Sequence, residues 1–362
     1  MNHARKISRF ALLAVAVAAG VLPFAAPAAC RSAVAEGLAL CSGPLLVSLF
    51  PFLIVSALLV QSPAGAWLSL PLRPIARLIG VRAEGAARVL LIGLLGGFAP
   101  AANAAAEAVR AHQLTPREAD DLLPACVCAA PSFVVLTVGE ELLGSAALGL
   151  RLYLAQTAAG ILTAALLCRL GRQNAQPQPD SAAQKGTSAP ARLDVIISNA
   201  AVTYIKLCGF VIFFRMLAAG AGQLLPPALA VVCAALLELC SGCDLASRLG
   251  PWASFACCAA ISVQGLSVLM QVRTICPPEM TLRPLYAARF VHLPLSLSIF
   301  WLLLPTGEQD VFSTLCERVV IMRRVPLDCA LIVFFACCCV TNEAARALGV
   351  YRAGATERKW HF

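Results

Sequence analysis

LLELCSGCDLASRLGPWASFACCAAISVQGLSVLMQ, residues Leu236 to Gln271, decides how this chain is read. Glu238, Ser241, Asp244, Gln264, Ser267 and Gln271 stand here among Leu, Ala, Cys and Val runs of the kind that span bilayers. A carboxylate and two carboxamides in such surroundings are costly unless they face a protein interior, a cavity or a ligand. The stretch is therefore expected to build a site, with the rest of the chain as its scaffold.

Composition sets the class. Of 362 residues, 60% are hydrophobic and only 13% charged, with a mean hydropathy of +0.81. Soluble domains carry about 25% charged residues, so an all-α polytopic membrane protein is expected. The net charge of +9 comes from arginines scattered through short loops, without a basic stripe interleaved with aromatics, so nucleic acid is not an expected partner. Of the 17 cysteines, Cys257-Cys258 and Cys337-Cys338-Cys339 lie in apolar stretches and act as small hydrophobes rather than a disulfide framework. Cys126-x-Cys128 and Cys240-x-x-Cys243 have spacings compatible with one four-thiolate metal site, but close helix approach is the favoured reading and no metal is assigned.

Outward from the opening stretch, the chain divides into five parts. Residues 1–37 hold Arg5, Lys6 and Arg9 ahead of the apolar run Phe10 to Ala29, which places the N-terminus in the cytoplasm. That run is a signal peptide or an anchor; a length near the ~20 residues a bilayer needs favours a retained anchor. Residues 38–170 form a first repeat. It contains a span at Leu38 to Val60 with Pro51 inside it, a loop carrying Arg73, Arg77, Arg82 and Arg88, and VLLIGLLGGFAPAANAAAEA from Val89. In the last of these, Gly96, Gly97 and Pro100 break the helix just before Asn103 and Glu107, one turn apart, as in a discontinuous helix that lines a cavity. Thr115-Pro116-Arg117-Glu118 signals a helix start. Leu122 to Val138, interrupted by Pro124 and Pro131, is expected to be re-entrant, and Leu142 to Leu170 spans.

Residues 171–193 are a flexible cytoplasmic linker rich in Gln, Pro, Ser and Ala. A second repeat occupies residues 194–304, with segments at Asp194 to Gly220, Leu224 to Cys243, Trp252 to Val272 and Leu285 to Leu304. Asn199, Thr203 and Lys206 share one stripe of the first, the lysine being a snorkelling residue; Arg289 and His292 share a face of the last. Residues 305–362 comprise an amphipathic segment, a short hydrophobic segment and a basic tail. The expectation is about 8–10 membrane segments.

The two repeats correspond in order. LFPFLIVSALL at Leu49 parallels LCGFVIFFRML at Leu207, LLGGFAPAANA at Leu94 parallels LLELCSGCDLA at Leu236, and AAPSFVVLTV at Ala129 parallels VQGLSVLMQV at Val263. With a re-entrant Leu122 to Val138 the first repeat crosses three times, so the second is inverted. Two inverted repeats with broken helices are the architecture of many secondary transporters.

These segments, together with Pro131-Ser132-Phe133, Glu238-Leu-Cys-Ser-Gly242, Gly265-Leu-Ser-Val-Leu-Met-Gln271 and Arg289-Phe-Val-His292, resemble the sporulation integral membrane protein family of the YlbJ type. That family carries nucleoside-recognition, or gate, domains similar to those of concentrative nucleoside transporters. The resemblance covers roughly Leu38 to Leu304. It implies a bacterial cell membrane, the forespore outer membrane in particular, and movement of dipicolinate in sporulation. It also assigns substrate positions to Glu238, Ser241, Gly242, Ser267 and Gln271. To these the residue pattern adds Gln264, in one helical stripe with Ser267 and Gln271, and Asn103, Pro131 and Ser132 from the first repeat. The chain departs from the family at Gly97-Phe98-Ala99, where Gly-Tyr-Pro is usual, and at Val127-Cys128, where paired asparagines are usual.

The expected function is thus a transporter of a small polar or anionic solute, as a monomer or homo-oligomer in the lipid bilayer. Glu238 couples to a cation or proton, or holds a helix end; no other cofactor is implied. The alternatives are a nucleoside-type permease and a non-transporting protein that supports envelope assembly, which the altered first-repeat positions favour. Enzymatic activity is not expected: no nucleophile elbow, phosphate loop or paired metal-spaced histidines occur, and His3, His112, His292 and His361 are dispersed.

Overall fold

A computed structural model describes residues 16–173 and 193–304. Every element among them is helical. In order these are α1 (Ala16–Ala25), α2 (Pro27–Ser42), α3 (Pro44–Gln61), α4 (Pro63–Leu68), α5 (Arg73–Ile79), α6 (Glu84–Gly96), α7 (Phe98–Arg110), α8 (Pro116–Cys126), a π-wound segment (Phe133–Leu142) and α9 (Ala146–Gln173). The second half holds α10 (Leu193–Leu224), α11 (Pro227–Leu237), α12 (Leu239–Ala246), α13 (Ala253–Val263), α14 (Gly265–Ile275) and α15 (Arg283–Leu303). Most of the expected linker, the amphipathic segment and the basic tail lie outside the described residues.

Proline places many of the helix starts. It opens α2, α3, α4, α8 and α11, where its missing N–H would have had no partner anyway. Pro27 therefore divides the apolar run expected at Phe10 to Ala29: α1 ends before it and α2 begins on it. The helix expected at Thr115 has a complete capping box, Thr115 receiving the Glu118 amide and Glu118 receiving that of Thr115.

Among the described residues, five helical stretches are long and apolar enough to cross a membrane: Pro27–Val47, Ala146–Gly171, Leu193–Leu224, Gly250–Ile275 and Arg283–Leu303. Shorter apolar helices at Leu49–Gln61, Gly85–Gly96 and Pro227–Leu237 account for other segments expected from hydropathy. Outward faces agree with a lipid setting. On α9, Leu150, Leu154, Leu162, Leu166 and Leu170 form one exposed stripe, and α15 exposes Phe290, Trp301 and Leu302.

The interior is packed through small residues. On α7, Ala99, Ala101, Ala102, Ala104, Ala105, Ala106 and Ala108 are all buried, enclosed by α3, α6, α8 and α14. Without side-chain bulk, helix backbones approach closely and gain dispersion contacts. Gly93 shows the limit: a Cβ there would stand 2.8 Å from the Cys126 carbonyl oxygen. Outside this core, α1 and α2 dock on α10 through Leu22, Cys30, Phe214 and Leu217, with Glu36 and Arg215 paired at 2.8 Å.

Four short interruptions position the site. The first lies between α6 and α7 at Gly97, whose φ of 82° and ψ of −166° suit glycine alone. The second is the irregular stretch 127–130 after α8, from which Pro131 and Ser132 open the next helical segment. The third is Glu238, extended between α11 and α12. The fourth lies between α13 and α14, where Gln264 and Gly265 are both left-handed, with φ of 65° and 68°.

Candidate functional site

The interruptions meet in pairs and then join. A Cβ on Gly97 would come within 2.9 Å of the Ala130 nitrogen, so the first interruption lies directly on the second. A Cβ on Gly265 would stand 3.1 Å from the Glu238 nitrogen and from the Leu237 carbonyl, so the fourth lies on the third. Between the halves, buried Gln264 donates from Nε2 to the Val127 carbonyl at 2.6 Å. The segment 127–130 is held from its other side by Gln156 of α9, which donates to the Ala129 carbonyl at 3.0 Å and accepts the Ala129 amide at 3.4 Å. In turn α15 holds α9, as His292 Nε2 meets the Gln156 carbonyl at 2.9 Å.

A cavity of about 140 Å³ opens where these interruptions converge. Its walls come from α2, α3 and α10 through residues such as Leu40, Phe52, Tyr204 and Leu207. Gly96 to Ala99, Ala129, Ala130, Glu238, Leu239 and Cys240 also line it. Most of this surface is apolar. Ser132, Glu238 and Gln271 are the sequence-expected site residues that line it.

Glu238 is fixed. Its carboxylate accepts the Cys240 amide at 2.9 Å, the Ser241 amide at 2.7 Å and the Ser241 hydroxyl at 2.8 Å, capping α12. An acidic cap satisfies orphan amides and opposes the positive end of the helix dipole. Gln271 is buried and donates to the Ser267 hydroxyl at 3.0 Å, one turn back on α14. By contrast α7 has no side-chain cap at Gly97, and Phe98 and Ala99 of its first turn line the cavity. The lining thus includes the start of a helix without a side-chain cap, a carboxylate and a carboxamide.

The other expected residues stand elsewhere. Ser241 and Ser267 act one step back, on Glu238 and Gln271. Gly242 is a packing position, where a Cβ would come within 2.6 Å of the Ala235 Cα. Pro131 opens the helical segment that presents Ser132. Asn103 donates to the Leu53 carbonyl at 3.3 Å and to the Ser56 hydroxyl at 3.0 Å, away from the main cavity. It lines a second cavity of about 120 Å³ with Gln61, Glu107 and Asn199. Asp244 pairs with Arg248 at the surface, and Lys206 is exposed. Among the described residues, no three His, Cys, Asp or Glu side chains are grouped to hold a metal ion. Cys128 and Cys257 instead donate to the carbonyls of Gly93 and Cys243.

Sequence reasoning missed Gln156, Tyr204 and Asp120. Asp120 receives the Thr281 amide and hydroxyl, each at 2.8 Å, and the Leu282 amide at 3.1 Å, tying α8 to the start of α15. Gln156, in the middle of the 28-residue apolar α9, is a legible signal; Tyr204 and Asp120 owe their roles to tertiary neighbours.

No family model, curated protein or solved structure matches the chain.

Proposed function

We propose that this protein is a membrane transporter whose solute binds in the cavity between the interrupted helices. The observation that carries the reading is the convergence of the interruptions on one cavity inside an apolar helical protein. Irregular backbone at membrane depth is tolerated where it is buried or lines a cavity, and transporters place substrates at such points.

The cavity suggests the solute's size and polarity. An apolar cavity of about 150 Å³ admits benzene, so about 140 Å³ suits one ring rather than the base and sugar of a nucleoside. The α7 N-terminus favours an acceptor or anionic group on the solute, whereas Glu238 and Gln271 favour a hydrogen-bond donor. Dipicolinate, the solute implied by the family resemblance, has one ring. Its second carboxylate would have to avoid Glu238, because like charges repel. Glu238 then shapes the site by holding α12 and sets the charge a solute may carry.

The duplicated sequence supports two inverted repeats. Two of the three correspondences fall on interruptions, Gly96-Gly97 with Glu238-Leu239 and Ala130 with Gln264, and the third falls on α3 and α10, which both wall the cavity. The re-entrant second segment, the cytoplasmic linker and a forespore location belong to the same proposal.

Uptake of radiolabelled dipicolinate, picolinate and uridine into proteoliposomes tests it. Single-ring acids should accumulate above empty vesicles and uridine should not, and Gln271→Ala should remove the accumulation at equal protein content. No uptake of any of the three would favour the non-transporting reading. Uptake of uridine alone would favour the nucleoside permease.

A further inference from the structure

Arg289 carries a charge that no described side chain balances. It is 8% exposed, and its one hydrogen bond runs from Nη1 to the Ser262 carbonyl at 3.3 Å. Nε and Nη2 are buried with no described acceptor in reach. The buried acids among the described residues, Asp120 and Glu238, are committed to Thr281 and Leu282 and to α12 respectively. A carbonyl contact leaves the positive charge uncompensated, and an unpaired buried ion costs several kcal/mol.

The chemistry of the free edge is specific. Nε–H and one N–H of Nη2 lie side by side on the guanidinium and match two oxygens of a planar anion. One turn along α15, His292 Nε2 donates to the Gln156 carbonyl, and the imidazole also lies against the Ser262 backbone that Arg289 reaches, so the ring packs Arg289 in place. Gln264 Oε1, two residues beyond the carbonyl that Arg289 reaches, is an unpartnered buried acceptor.

We infer that the Nε and Nη2 edge of Arg289 binds a carboxylate, with Gln264 Oε1 as the acceptor for a hydroxyl or N–H on the same ligand. Neither Arg289, His292 nor Gln264 lines the main cavity, so the site is distinct from it. A carboxylate bound here neutralises the guanidinium where α15, α13 and the segment around Ala129 meet.

Thermal unfolding of the detergent-purified full chain, titrated with sodium acetate, sodium glycolate or sodium chloride at constant ionic strength, tests this. Acetate should raise the midpoint saturably, by about 3 °C, glycolate should act at lower concentration, and chloride should do little. Arg289→Lys keeps the charge and loses the two-pronged edge, so its half-saturating acetate concentration should rise roughly tenfold. Equilibrium dialysis of carbon-14 acetate against the unaltered protein decides the matter should variants fold poorly. Equal responses to acetate and chloride, an unchanged acetate response in Arg289→Lys, or no retained acetate would each overturn the assignment.

Discussion

Replacing Gly97 by alanine should cost far more than its one methyl group suggests. Gly97 has a φ of 82° and a ψ of −166° between α6 and α7, a region that side-chain-bearing residues enter at about 1–3 kcal/mol. The added Cβ would stand 2.9 Å from the Ala130 nitrogen and 3.0 Å from its Cβ. These atoms belong to backbone and a short side chain, neither able to swing away, so overpacking adds about 1–3 kcal/mol. The total of about 2–6 kcal/mol is a large part of typical domain stability, about 5–15 kcal/mol. Gly209→Ala provides the control, because Gly209 lies within α10 with nothing within 4 Å of the new Cβ. There alanine should stabilise by about 0.5–1 kcal/mol. The assay is the apparent unfolding midpoint of both purified variants at one scan rate, with Gly97→Ala expected below wild type and Gly209→Ala at or above it. Gly97→Ala as stable as Gly209→Ala would refute the close contact of the first two interruptions.

Glu238→Ala strips the cap from α12 and should cost about 0.5–2 kcal/mol in unfolding measurements, while changing which charged solutes bind; unchanged stability would remove the capping role. Gln264→Leu leaves the Val127 carbonyl without its cross-half donor and should destabilise by about 1–3 kcal/mol, with faster amide exchange in segment 127–130; unaltered exchange would contradict that link. Asp120→Ala removes three hydrogen bonds to Thr281 and Leu282, so protease cleavage near residues 276–283 should accelerate; an unchanged cleavage pattern would show that α15 is held otherwise.

Sequence marks the interruptions better than it marks what they meet. Gly96, Gly97 and Pro100, and the polar set from Glu238 to Gln271, are local signals because a backbone leaving the helix needs glycine, proline or a side chain to satisfy it. Segment length reads less well. Pro27 divides one expected span, and α6 and α11 end early, so hydropathy alone merges pieces that backbone chemistry separates. Which polar groups converge is a matter of tertiary packing. Asn103 and Gln271 are both expected at the site from sequence, yet Asn103 turns to Leu53 and Ser56 while Gln271 lines the cavity. Gln156 is distant in sequence from every interruption, and only the approach of α9 brings it to Ala129.

The central claim is that the cavity at the interruptions carries a small solute across the membrane. Its most direct test is the initial rate of picolinate and dipicolinate uptake into proteoliposomes, for the unaltered protein and Gln271→Ala side by side. Uptake that saturates with the unaltered protein and falls to the empty-vesicle rate with Gln271→Ala is the predicted result. Equal rates in protein-containing and empty vesicles, or full uptake by the variant, would contradict it.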